Sequence, residues 1–162
     1  MSKEVRIGRT GRVALVDDED YDRLAAIPWQ VFRDKYHRTE YAKCTSGPLK
    51  SKFMHRIILG LPSYAIDHRD GNGLNNQRHN LRCATNQQNQ FNASLRRDSS
   101  TGFKGVHKRE NGRFTARVRV SGRLISAGVF DTPEEAARAY DRKALEVGGE
   151  YARLNFPKEQ YE

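Results

Sequence analysis

The pattern of hydrophobic and polar positions divides this chain into stretches of different character. Val13-Ala14-Leu15-Val16 is an unbroken apolar run, the pattern of a buried strand. Asp17, Asp18, Glu19 and Asp20 then open a helical segment as a solvated start, since acidic groups suit the positive end of a helix dipole. Trp29, Phe32 and Tyr36 are expected to pack a small core, and Met54 to Leu59 to form a short apolar helix. Residues 1–63 thus read as a β-rich region with a helical turn or two. Tyr64 to His68 and Leu81 to Thr85 read as two strands, separated by the turn-forming run Asp70-Gly-Asn-Gly-Leu-Asn-Asn76. Thr85 followed by Gln88 is a capping-box signature, so a helix starts near Asn86 and carries Asn89 in its first turns.

Residues 93–101 are polar without periodicity, the composition of a linker. Arg96 and Arg97 within it suit either a DNA backbone or plain solvation. From Gly102 a second domain is expected, and residues 113–120 in it alternate strictly. Arg113, Thr115, Arg117 and Arg119 share one face of a strand, while Phe114, Ala116, Val118 and Val120 share the other. Ser121-Gly122 marks a turn, and Leu124 to Val129 a further strand. Thr132-Pro133-Glu134-Glu135 is a capping box with proline at the first helical position. Ala136, Ala137, Ala139, Tyr140, Ala144 and Leu145 then give a helix that can lie close on the apolar face.

The length of 162 residues allows one or two small domains. A formal net charge of +9 points to a polyanionic partner, most simply nucleic acid. That charge is unevenly placed: residues 95–125 hold nine Lys/Arg against two acids, and residues 126–162 hold five against eight. Cys44 and Cys83 stand far apart outside any Cys-x-x-Cys pair, so neither a disulfide framework nor a structural zinc is expected, only half-buried thiols. The longest apolar run, Ile57 to Leu61, is too short to span a bilayer, and the N-terminus lacks a signal core. A soluble, intracellular protein without a membrane partner is the expectation.

The chemistry concentrates between Asp67 and Asn89. Asp67 and Asn89 offer oxygen to a hard divalent cation, and His68 places a titratable base beside them. Such a site suits hydrolysis of a phosphodiester, with His68 taking a proton from water and Mg²⁺ or Mn²⁺ as the cofactor. Asn80 is expected to tie the loop after Asp70 to the second strand, and Gly71 and Gly73 to supply positive φ. Among the other histidines, His55 is a candidate for DNA approach, His79 for the loop edge and His37 for the surface.

Asp67-His68-Arg-Asp-Gly-Asn-Gly-Leu-Asn-Asn, then His79-Asn80-Leu-Arg, then Asn86-Gln-Gln-Asn89-Gln, closely resembles the HNH endonucleases of phage and intron homing type. The resemblance implies a ββα-metal nuclease core over residues 64–92, metal at Asp67 and Asn89, a base at His68 and the central asparagine at Asn80. The namesake motif has histidine where this chain has Asn89, and an amide oxygen favours a hard ion over zinc. A phage-encoded, cytoplasmic enzyme of a bacterial host is what the family implies.

Residues 102–157 resemble a second family, the Apetala-two or ethylene-response-factor DNA-binding domain. The carrying residues are Lys104-Gly-Val-His, Arg117-Val-Arg119, Gly128-Val-Phe-Asp-Thr-Pro-Glu-Glu-Ala-Ala-Arg-Ala-Tyr140-Asp and Leu154-Asn-Phe-Pro157. The resemblance places DNA contacts on Lys104, His107, Arg109, Arg117 and Arg119, while alternation adds Arg113. Asn111, Leu124 and Ser126 depart from the plant pattern of Trp or Arg, so the plant sequence preference is not expected. The fold class is therefore α+β: a ββα-metal module, then a three-stranded antiparallel sheet packed on one α-helix. The expected function is a site-specific endonuclease of homing type acting on double-stranded DNA. It is expected to work as a monomer and nick one strand, the alternative being a non-enzymatic DNA-binding regulator on a retained scaffold.

Overall fold

A computed structural model of the chain describes residues 1–34, 39–96 and 98–161. Tyr36, His37 and Arg97, to which the sequence gives roles, lie outside the described residues. The chain is mixed α/β with small antiparallel sheets and divides into two compact units, Met1–Thr85 and Asn86–Glu162.

In the first unit β1 (Ser2–Ile7) pairs with β2 (Arg12–Asp17), β3 (Trp29–Arg33) with β4 (Glu40–Cys44), and β5 (Ala65–His68) with β6 (Leu81–Ala84). Helices α1 (Asp18–Ala25) and α2 (Met54–Ile58) pack among these hairpins. One apolar cluster holds them together, with Ile7, Val16, Leu24 and Met54 entirely buried at its centre. Trp29 joins it and satisfies its indole by donating to the Leu24 carbonyl, 2.8 Å away. Phe32 does not join. It lies on the opposite face of β3 and stays 39% exposed, because strand side chains alternate and Trp29 has claimed the core side.

The acidic run does more than begin a helix. Asp17 Oδ2 accepts from the Arg78 amide at 2.7 Å, and Asp20, only 3% exposed, receives the Arg78 guanidinium at 2.8 Å. These bonds pin the turn before β6 onto α1. Cys44 is buried and Cys83 exposed, rather than both half-buried, since they fall on inward and outward positions of their strands.

The second unit begins with α3 (Asn86–Asn92), one residue after the end of the first. Its Phe91 is 5% exposed within the second apolar cluster, beside Val106, Val118, Ala137 and Tyr140. Strands β7 (Val106–Lys108), β8 (Phe114–Val120) and β9 (Arg123–Phe130) form an antiparallel sheet in that order, and α4 (Pro133–Gly148) supplies the buried alanines. Thr132 and Glu135 exchange both capping-box bonds at the head of α4. A bulge near Ala116 and Arg117 shifts the β8–β9 register by one residue. The 93–101 stretch, linker-like in composition, is tied into this unit: Ser94 accepts from Arg153, and the Thr101 hydroxyl donates to the Val106 carbonyl.

Asp141 on α4 is fully buried and anchors the C-terminal segment. It accepts from the Asn155 amide, the Asn155 side chain, the Phe156 amide and the Tyr161 hydroxyl, all at 2.8–2.9 Å. Asn155 in turn receives the Lys104 amide at 2.7 Å. Gly105 follows with φ +73°, and a Cβ there would lie 2.0 Å from the Tyr140 ring, so only glycine fits. Asp141→Ala is expected to destabilise the second unit by about 3–5 kcal/mol, because several buried donors lose a charged acceptor together. Urea unfolding of the full chain followed by circular dichroism checks this, and a loss below about 1 kcal/mol would show the anchor to be dispensable.

Candidate functional site

The β5–β6 register sets Asp67 opposite Arg82 and His68 opposite Leu81. Cross-strand neighbours of this kind lie close enough to bond. Arg82 Nε and Nη2 both reach Asp67 Oδ2, at 2.8 and 2.7 Å. Asp67 is 7% exposed and Arg82 8%, so their attraction is weakly screened and removing either would strand a buried charge.

His68 is also buried. Its Nε2 lies 3.4 Å from Asn76 Oδ1, the His55 ring meets it edge-on at 5.0 Å, and the Tyr41 ring is 5.8 Å away. Burial pushes the imidazole below the ordinary histidine value, outweighing the Asn76 bond and the pull of Asp70 and Asp67. The ring is therefore neutral near pH 7.

The loop between the two strands is a hydrogen-bonded frame. Asn80 Nδ2 donates to Asp70 Oδ1 at 3.0 Å and to the Asn75 carbonyl at 2.8 Å, while its Oδ1 accepts from the Asp70 amide at 3.1 Å. Asp70 also accepts from the Asn72 amide and the Asn75 side chain, both at 2.8 Å. The loop is laced to β2, where Leu15 donates to Leu74 and accepts from Asn76. Gly71 has φ +75°, as a turn there requires. Gly73 is needed for a different reason: a Cβ would lie 2.5 Å from the Glu40 carbonyl and the Tyr41 ring. Asn76, wholly buried, is delivered to His68 by this frame.

The remaining candidates fall into place around these. His79 is exposed at the loop edge. His55, a candidate for DNA approach in the sequence, is instead buried and stacked on Phe53 at 5.5 Å. Its pKa is pushed down to about 3 by burial, with His68 and Arg56 adding to the effect. Asn89 is half-buried on α3 in the second unit. Among the described residues, no three His, Cys, Asp or Glu side chains gather to hold a metal by themselves.

In the second unit His107, Arg109, Arg117 and Arg119 are exposed, as are Asn111, Leu124 and Ser126. Arg117 pairs with Ser126 and Arg119 with Leu124 in the β8–β9 register, so these four share a face. Arg113 is exposed but engaged, its Nε 2.8 Å from Asp131. Thr115, on the arginine side by alternation, is 4% exposed, and its hydroxyl lacks a partner among the described residues. Arg96 pairs with Asp98 on the surface. Lys104 departs from the expected DNA-facing role, because its ammonium turns inward and donates to the Phe91 carbonyl. Burial, with Arg153 nearby, lowers its pKa to about 8.

A buried carboxylate fixed by a guanidinium thus stands next to a buried imidazole on one β-hairpin. A model of the HNH endonucleases matches residues 47–91. A protein of Acanthamoeba polyphaga mimivirus named as an uncharacterized HNH endonuclease is 38% identical over 152 residues, covering 90% of this chain and 75% of that protein. The chain belongs to the HNH endonuclease family. Its C-terminal part is also similar to ethylene-responsive transcription factors. One from Arabidopsis thaliana is 42% identical over 60 residues, and one from Nicotiana tabacum 46% over 57. These matches cover 36% and 34% of this chain and only 32% and 25% of the plant proteins.

His55 gives the first unit an acid limit. Its folded value near 3 lies below the unfolded 6.5, so between those values the unfolded chain binds a proton that the native chain refuses. Stability is present above pH 6.5 and falls with acidification through that window, by at most about 1.4 kcal/mol per pH unit from this group. The lone tryptophan, Trp29, reports urea unfolding of this unit, and His55→Phe should flatten the acid-side slope. An unchanged slope would place the acid sensitivity elsewhere.

Proposed function

We propose that the chain is a metal-dependent DNA endonuclease of the homing type. The family resemblance assigns a ββα-metal site to Asp67, His68, Asn80 and Asn89, and the β7–β9 sheet directs the enzyme to double-stranded DNA. The observation that carries the reading is the pairing, on consecutive residues of β5, of a buried carboxylate with a buried neutral imidazole.

The donor set fits a hard divalent ion. Asp67 brings a carboxylate and Asn89 an amide oxygen, and among the described residues no group of three His, Cys, Asp or Glu side chains competes. These two residues would hold Mg²⁺ or Mn²⁺. When bound, such an ion stabilises negative charge on a scissile phosphate and on the leaving 3′ oxygen. Arg82 holds Asp67 in place, with Nε and Nη2 both reaching Oδ2. Asn76 accepts from His68 Nε2, which makes Nδ1 the basic nitrogen of the ring and the acceptor for a proton from attacking water. Asn80 acts through the loop, holding the frame that delivers Asn76.

The sheet supplies placement. Arg117 and Arg119 project from the face opposite α4, flanked by His107 and Arg109, a pattern suited to a DNA groove lined by phosphates. A single site serves one phosphodiester at a time, so a monomer nicks one strand.

Supercoiled plasmid should convert first to open circles in Mg²⁺, and EDTA should abolish the conversion. His68→Ala should lower the rate by about 10²–10⁴ and leave DNA binding intact. Equal cutting with and without chelator would overturn the metal assignment, and linear product from the outset would overturn nicking.

Arg117→Ala and Arg119→Ala should each weaken DNA binding. Each should also lower the slope of log affinity against log salt by about one if the arginine meets a phosphate. A double variant with unchanged affinity and slope would move the interface off this face.

A further inference from the structure

The outer face of the β3–β4 hairpin leads from solvent to His68. Phe32 pairs with Tyr41 and Gln30 with Lys43 in its register, so these four side chains share the face turned away from Trp29, Ala42 and Cys44. Phe53 is brought alongside by an antiparallel bridge to Lys43. The rings are in unbroken contact. Phe32 meets Phe53 at 5.4 Å and 72°, Phe53 meets Tyr41 at 5.8 Å, and Tyr41 lies 5.8 Å from His68. A second route passes from Phe53 through His55 to His68. Lys43 Nζ stands over two of the rings, 5.3 Å from Phe32 and 5.8 Å from Phe53.

This arrangement is not needed to close the core, which lies on the other side of the hairpin. It leaves Phe32 39% exposed at the outer end and sets the Lys43 ammonium over the rings, with the Asp34 carboxylate acting on Tyr41 from the hairpin end. An exposed ring backed by half-buried ones, with a cation over them, suits one polyanion above others, a nucleic-acid strand that stacks a base on the ring and sets a phosphate on the ammonium group. Continuity with His68 says which strand.

We infer that this face is the track for the DNA strand being cut: Phe32 stacks on a nucleotide flanking the scissile phosphate, and Lys43 swings from the rings to a neighbouring phosphate. The inference rests on the nuclease reading above and adds positioning residues to it. Tyr41, Phe53 and His55 form the inner wall that carries the track to His68.

Nicking of supercoiled plasmid in Mg²⁺ by the full chain tests it. Phe32→Ala should raise KM about tenfold, the worth of one base stacked on a ring, while kcat falls less than threefold; Phe32→Tyr should restore KM. Lys43→Ala should lower the salt slope of plasmid binding by about one, and Lys43→Arg should restore it. Phe32 lies outside the core, so circular dichroism of its variants should match the parent. Wild-type nicking with KM and salt slope unchanged in the variants would overturn the track and leave the nuclease reading standing. A fall in kcat at constant KM would also overturn it, since the rings would then act only by supporting His68. Absence of nicking by the wild type with any divalent ion would remove the nuclease reading and the track with it.

Discussion

Burying a carboxylate and an imidazole on adjacent residues is the constraint around which the first unit is arranged. Neither group tolerates a dry interior alone. Asp67 is partnered by Arg82, which faces it across the hairpin, and burial disfavours the cation of His68. The loop from Asp70 to Asn80 uses asparagine and glycine heavily for the same reason. Asparagine amides satisfy the Asp70 carboxylate and the loop backbone. Gly73 lets that loop close on Tyr41, so the wall of rings and the polar frame meet at His68.

The second unit meets the same difficulty differently. Asp141 is buried without a guanidinium and is satisfied by backbone amides, an asparagine and a tyrosine hydroxyl. The two carboxylates therefore differ in what they can do. Asp141 is enclosed by neutral donors that fix the chain's own C-terminal segment, a structural duty. Asp67 is held by the Arg82 guanidinium beside His68, the arrangement that the proposed nuclease reading uses.

Much of this was legible in the residues. Period two through Arg113–Val120, the capping box at Thr132 and the apolar run at Val13–Val16 all became the elements they suggest, because local pattern and tertiary burial agree there. Asn80's bonding of the loop was likewise readable from its place among turn residues. Other features depended on contacts far along the chain. Asp20 looks like a solvated helix start until Arg78, 58 residues later, reaches it. His55 looks like a surface base until Phe53 stacks on it, and Lys104 like a DNA contact until Phe91 presents a carbonyl. Arg82 carried a signal that was there to use: an antiparallel hairpin joining Asp67 to the Asn80-Leu81-Arg82 segment places the guanidinium opposite the carboxylate.

Helix α3 has a consequence for how the molecule can be taken apart. Phe91 is part of the second core, and the helix follows β6 after the single residue Thr85. A fragment starting at the composition boundary near Gly102 would leave a hole where the phenylalanine ring belongs. A cut before Asn86 spares that core but leaves Asn89 on a separate fragment from Asp67 and His68. The two halves are thus not interchangeable cassettes, and a chimera that trades one sheet for another must inherit the helix along with it.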